Sequence, residues 1–161
     1  NRKYQIELVN STIKRLRDKD EFFSISTDVI VGFPTEREED FQMTLDWIKK
    51  WKPQVLNISK YSTRPNTLAK KMKQLDSKII KKRSKTISRE YEVYLKSKNM
   101  NWIGWSGSIL VNERHSKRKY EFMGRNDYYI PVVCKQGNLW TKQNVKIVDY
   151  LNHSLIGKKV N

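Results

Sequence analysis

The feature that most restricts the fold is a change of hydrophobic period near residue 99. Upstream, apolar residues recur at helical spacing or gather in two β-branched runs. Downstream, the helical period is lost and only short β-rich runs remain. One regular architecture does not satisfy both patterns. The chain is therefore expected to hold two domains, residues 1–98 and 99–161, with the boundary near Asn99–Gly107. Its 161 residues suffice for this, and for a packed core without disulfides.

In the first part, Ile6, Val9, Ile13 and Leu16 mark one face of a helix over residues 3–18, with Lys14, Arg15 and Arg17 off that stripe. Phe22–Val31 is rich in β-branched and aromatic residues and predicts a buried strand. Asp28 inside that strand then needs a partner, because an unpaired buried carboxylate is costly. The strand stops at Gly32-Phe33-Pro34. Thr35, with Glu38 three residues on, has the form of a capping box. Glu36, Glu38, Glu39 and Asp40 complement a helix dipole, which accounts for this acidic cluster without a metal. The helix carries Phe41, Leu45 and Ile48 inward and ends near Pro53. A second buried strand, Val55–Tyr61, leads into a loop at Ser62–Thr67. A long helix follows from Asp76 or Ser77 to about Lys98, with Ile80, Ile87, Tyr91 and Tyr94 inward. Helix, strand, helix, strand, helix is the signature of βα units on a parallel sheet. Two parallel strands are too few to close a core, so this half reads as a slice of a larger α/β barrel.

In the second part, runs at Ser108–Asn112, Lys119–Met123, Tyr128–Cys134, Val145–Tyr150 and Leu155–Val160 alternate with Gly- and Asn-rich turns. Five short strands at this spacing predict a small antiparallel barrel of the OB type.

Charge narrows the partner. The chain carries a formal net charge of +16, and residues 60–98 alone hold thirteen basic against three acidic side chains. That balance favours a polyanion, most simply nucleic acid; a solvated lysine-rich helix is the blander account of the middle segment. There is no long apolar run and no signal peptide, so no membrane partner is expected. Cys134 is the single cysteine, and His115 and His153 stand alone, so no metal site is expected. Arg114, Lys117, Arg118, Lys119 and Arg125 lie in turns among Tyr120, Phe122, Tyr128 and Tyr129. Cations interleaved with aromatic rings suit an RNA track, although strand alternation must send about half of these rings into the core.

Four motifs then carry a resemblance. Ile25–Glu36 (ISTDVIVGFPTE) with Glu38-Glu39-Asp40-Phe41 is the first, and Tyr61–Thr67 (YSTRPNT) with Ala69 and Lys71-Met72 the second. Arg83–Ser88 (RSKTIS) is the third, and Gly124-Arg125, Val132-Val133 and Gly157 make the fourth. In this order they resemble the C-terminal part of the radical-SAM tRNA methylthiotransferases. The NISKYSTRP and KKMKQL segments favour the branch acting on N6-threonylcarbamoyladenosine at position 37. The resemblance implies the last βα units of a TIM-like radical-SAM barrel in residues 1–98 and an RNA-binding TRAM barrel in residues 99–161. It implies S-adenosylmethionine and a [4Fe–4S] cluster as cofactors of the intact protein, tRNA as partner, and a cytoplasmic location. The sulfur donor and oligomeric state stay open. Cofactor contacts are expected from Gly32, Phe33, Pro34 and Arg64, and RNA contacts from Arg114, Lys117, Arg118, Lys119, Arg125 and Tyr128; no catalytic residue is expected. The sequence departs from the pattern at Arg37, where Thr is common, and at Asn66, where Gly is usual. The CxxxCxxC cluster motif is missing, so the chain, which opens at Asn1, is expected to be a fragment inactive by itself. A stand-alone RNA-binding module is the alternative. So is a methylthiotransferase for isopentenyladenosine or a ribosomal protein.

Overall fold

The computed structural model describes residues 5–20, 23–114 and 122–160. The chain divides into two compact units, Asn1–Ser84 and Lys85–Asn161. The divide falls inside a helix, upstream of the break in hydrophobic period.

The first unit begins with α1 (Ile6–Lys19), β1 (Ser26–Val31), α2 (Glu38–Trp51) and β2 (Val55–Lys60). The short α3 (Leu68–Lys71) and the start of α4 (Ser77–Met100) follow. β1 and β2 are parallel, in register from Ser26 with Val55 to Val31 with Lys60. A parallel pair needs a crossover, and α2 provides it. α2 buries Phe41, Leu45, Ile48 and Trp51, spaced three or four apart along one face. Ile13, Ile25 and Trp51 share a small core flanked by Val9 and Trp47. The Asn10 side-chain oxygen accepts from both indoles, Trp47 at 2.9 Å and Trp51 at 2.8 Å, and so ties α1 to α2.

Three expectations for this unit need correction. Neither β1 nor β2 is a buried strand: Ser26, Asp28 and Ile30 face outward, Ile30 is 61% exposed, and in β2 only Leu56 is buried. Asp28 is therefore not a buried charge, and it accepts from Asn57 Nδ2 (2.8 Å), its cross-strand neighbour. Among the described residues, β1 and β2 pair only with each other. Thr35 and Glu38 do not make the capping box. α2 starts two residues later, with Arg37 as its N-cap, and the Asp40 carboxylate accepts the Arg37 backbone N–H at 2.9 Å. That bond, with the Arg37 side chain, holds the Asp40 carboxyl below its usual range. Finally, α1 begins at Ile6, which is 51% exposed, so the first member of the apolar stripe lies outside the core.

The second unit holds the rest of α4, where Ile87, Tyr91, Leu95 and Asn99 are buried. Then come β3 (Ser106–Arg114), β4 (Phe122–Arg125), β5 (Pro131–Cys134), β6 (Thr141–Tyr150) and β7 (Leu155–Lys159). They form a closed barrel in the order β3-β4-β5-β7-β6. The strand count matches the expectation, but one pair differs from a purely antiparallel barrel. β5 and β7 run parallel, from Val132 with Leu155 to Cys134 with Gly157. β6 shows the alternation that a one-sided core demands: Gln143, Val145 and Ile147 point inward while their neighbours are exposed. They meet Ile109, Val111, Val132, Cys134 and Leu155, with Trp102 and Ile130 completing the core. The expected strand from Tyr128 begins only at Pro131. Residues before it form a turn, in which Asn126 Oδ1 accepts the Ile130 N–H at 2.9 Å. Gly124 sits inside the barrel where β4 crosses β3. A Cβ there would lie 2.5 Å from the Leu110 carbonyl oxygen and 3.1 Å from the Val111 Cα.

Among the described residues no helix is long and apolar enough to cross a membrane, and no cluster of three metal-ligating side chains occurs.

Candidate functional site

The ends of the two parallel strands meet at one place in the first unit. β1 runs out at Val31, and Gly32 turns the chain with φ +85°, a conformation that side chains disfavour. A Cβ at Gly32 would also come within 2.5 Å of the Ile80 side chain, so α4 already fills the space that the glycine leaves. The Gly32 N–H donates to the Glu36 carboxylate. That carboxylate is nearly buried and lies 3.1 Å from Arg83 Nη1, while Nη2 of the same arginine bonds Glu38 at 2.8 Å. Arg83 Nη1 also donates to the Glu36 carbonyl (3.1 Å), and the guanidinium lies 5.2 Å from the Phe41 ring centre. Burial alone would ease the proton off Arg83; the hydrogen bond to Glu38 and the charge of Glu36 outweigh it and hold the group more firmly cationic. This is why Thr35 and Glu38 do not cap α2 as expected: the Glu36 and Glu38 carboxylates are spent on Gly32 and Arg83, and Asp40 takes the Arg37 amide at the helix start.

The turn held in this way presents Phe33, which is 41% exposed and meets the Tyr61 ring edge-on at 5.3 Å. Tyr61 follows β2, and its N–H donates to the Val31 carbonyl at 2.8 Å, which keeps the two strand tops together. Pro34 is half-buried beside Phe33 in sequence. Arg64 lies exposed in the next loop, where its carbonyl accepts from the Thr67 hydroxyl at 2.9 Å. Asn66 takes φ +59° in that loop, the left-handed turn that its side chain tolerates. Of the four residues expected to face a cofactor, the strand tops bring Gly32, Phe33 and Pro34 together, with Arg64 in the loop beyond β2.

The barrel carries a separate polar groove. Arg114, Phe122, Lys135, Lys142 and Lys159 line it, together with the Gln136–Asn138 loop. The Arg114 guanidinium lies 5.5 Å from the Phe122 ring centre. Gln143 holds the groove's floor, donating to the Gln136 carbonyl at 3.0 Å and to Cys134 Sγ at 3.2 Å. Four cations from β3, the β5–β6 loop, β6 and β7 thus converge, and only Arg114 belongs to the set expected from sequence. Lys135, Lys142 and Lys159 were missed because they lie far apart in the chain and only barrel closure gathers them. The available signal was period two: Lys142 and Lys146 alternate with the inward Gln143 and Val145.

Arg125 is not among the residues lining that groove. It stands half-buried on β4, with its guanidinium 4.8 Å from the Tyr129 ring centre and 3.9 Å from Glu113. Tyr128 is half-buried and packs against the core, its ring 5.6 Å from Trp102. The neighbouring Tyr129 is the ring that reaches solvent, 67% exposed. Lys117, Arg118 and Lys119 lie outside the described residues, as do His115 and Tyr120.

No family model matches the chain. Named relatives do. A Methanocaldococcus jannaschii protein named probable threonylcarbamoyladenosine tRNA methylthiotransferase is 33% identical over 159 residues, 99% of this chain and 36% of that protein. The human threonylcarbamoyladenosine tRNA methylthiotransferase is 30% identical over 149 residues, 92% of this chain and 25% of that protein. A Finegoldia magna protein named tRNA-2-methylthio-N(6)-dimethylallyladenosine synthase is 32% identical over 164 residues, 99% of this chain and 35% of that protein. The chain spans about a third of the length of the archaeal and bacterial relatives and a quarter of the human one. By sequence the chain is similar, over nearly its whole length, to the C-terminal region of longer proteins named as tRNA methylthiotransferases.

Proposed function

We propose that the whole protein is a radical-SAM methylthiotransferase acting on C2 of N6-threonylcarbamoyladenosine at position 37 of tRNA. Residues 1–98 would form the end of its radical-SAM barrel and residues 99–161 its TRAM domain. The observation that carries this reading is the match of nearly the whole chain to archaeal and animal proteins bearing that name. Two features of the fold support it. The parallel pair β1–β2 leaves Ile30 and Val55 exposed, as strands of a larger barrel would. The barrel of the second unit gathers four cations in one groove.

The cofactors fit the chain unequally. A [4Fe–4S] cluster needs thiolates, and the chain's one cysteine is buried in the barrel core, so no ligand comes from here. S-adenosylmethionine suits the strand tops better. Phe33 and Tyr61 offer ring surface, and the Arg64 guanidinium suits the carboxylate of the methionine part. When bound, cluster and S-adenosylmethionine supply the electron and the radical. Gly32 sets the path of the turn, Arg83 pins it through Glu36, and Phe33 is held where a ligand would meet it. On the barrel, Arg114, Lys135, Lys142 and Lys159 would hold tRNA phosphates.

RNA binding by the 161-residue chain tests the barrel's part. Four phosphate contacts predict affinity falling roughly 100-fold between 50 and 200 mM salt. Lys142→Ala with Lys159→Ala should weaken binding and flatten that slope by about half. Absence of tRNA binding at low salt overturns this part. For the substrate, nucleosides from a strain lacking the gene should show no methylthio group on threonylcarbamoyladenosine. If the group is lost from dimethylallyladenosine instead, the activity named for the Finegoldia magna relative is the right one.

A further inference from the structure

We infer that the outer face of the barrel across β4, β3 and β6 is a stacking site for unpaired RNA bases, with Tyr129 and Trp140 as its two platforms. This rests on the RNA-binding reading above and names the kind of RNA held.

The first observation is where the backbone is strained. Four non-glycine residues among those described have positive φ: Lys52, Asn66, Tyr129 (+62°) and Trp140 (+64°). Lys52 ends α2, and Asn66 is a residue type that tolerates this region. A bulky aromatic residue in the left-handed region is a true outlier, and such strain gathers at functional positions. The second observation is what the strain achieves. Tyr129 is 67% exposed and Trp140 is 74% exposed, more than any other aromatic side chain described. Neither ring repays its backbone by filling the core. Both are nonetheless fastened: the Tyr129 N–H donates to the Asn126 carbonyl at 2.8 Å, and the Trp140 N–H to the Val111 carbonyl at 2.7 Å.

Close to both rings in the chain runs one cross-strand row. Leu110 pairs with Arg125 on β4 and with Lys142 on β6, so the three side chains share the outer face. Two strand spacings make that row about 10 Å long. Leu110 is 44% exposed, an apolar step between two cations. Arg125 lies over the Tyr129 ring, and Trp140 stands two residues before Lys142. The face thus carries cation, aliphatic side chain and cation in one row, with one ring against the first cation and the other ring two residues before the second along the chain. Glu113, 3.9 Å from Arg125, offsets part of the charge, so phosphate attraction alone does not account for this surface. An unpaired nucleotide offers what it complements, a base face beside a phosphate. A duplex hides its base faces and would engage the cations only.

The test uses the 161-residue chain, a twelve-nucleotide single-stranded RNA, and the same sequence as a duplex. The single strand should bind more tightly. Tyr129→Ala and Trp140→Ala should each weaken single-strand binding about tenfold or more, by the usual worth of a stacked base, and change duplex binding less than twofold. Tyr129→Phe and Trp140→Phe should retain it. Trp140→Gly relieves the strain, so its thermal midpoint should hold or rise while single-strand affinity falls. If both alanine variants bind the single strand as the parent does while Lys159→Ala weakens it, the stacking site is refuted and the RNA reading stands. Equal loss for single strand and duplex also refutes it. No binding of either RNA at low salt overturns both.

Discussion

Arg83→Ala is expected to destabilise the first unit by about 3–5 kcal/mol, enough to leave it largely unfolded. The guanidinium is almost buried and is the counter-charge to a Glu36 carboxylate that is itself nearly inaccessible. Removing it strands that carboxylate, frees the Glu38 side chain, and takes the packing off Phe41. The loss should reach Gly32, whose amide is held by the same carboxylate. Urea unfolding with limited proteolysis around residues 32–38 gives the measurement. Arg83→Met combined with Glu36→Gln should recover part of the loss, because no uncompensated charge is then buried. A single Arg83→Ala variant with the parent's midpoint would show that this pair does not hold the turn.

Gly124→Ala is expected to cost the barrel about 2–3 kcal/mol, an overpacking effect of unusual kind. Its Cβ would meet main chain, the Leu110 carbonyl and the Val111 Cα, not the yielding tip of a side chain. β3 and β4 must then part, and they are already irregular in register between Val111 and Glu113. Gly104→Ala is the natural comparison. It meets nothing within 4 Å and pays only for its φ of +91°, about 1 kcal/mol. Thermal unfolding followed by near-ultraviolet circular dichroism, which senses Trp102 in the core, separates the two. Equal midpoints for both variants would mean that β3 and β4 do not cross as described.

The parts of the fold that sequence made legible are those governed by local period. α2 shows its face through Phe41, Leu45 and Ile48, and the parallel order of β1 and β2 follows from the helix between them. The barrel's five strands were legible from turn spacing, with ends that agree or are off by at most four residues. What escaped depended on contacts distant in sequence. The Thr35–Glu38 box is locally sound, yet Arg83, 47 residues beyond Glu36, competes for the acids. β1 looked buried because its composition is that of a covered strand, whereas coverage depends on neighbours that composition does not place. The site was legible to a similar degree. Gly32 and Phe33 could be placed at a strand top by motif, with Arg64 in the loop that follows β2. Tyr128 is the ring that sequence singled out, whereas Tyr129 is the one that reaches solvent, a choice that depends on the turn's backbone and not on the order of residues.

The single parallel pair in the barrel has a consequence for synthesis. β3, β4 and β5 emerge in the order in which they pair, and β6 returns to β3. Until β7 arrives, the sheet is open, with β5 and β6 as its two edges, and Val132, Val133 and Cys134 lie on one of them. Such edges recruit other strands. A chain in which β7 has not yet paired is therefore adhesive, and β7 closes the barrel by joining both edges at once. The barrel's exposure to misassembly is thus confined to the interval before β7 is free to pair.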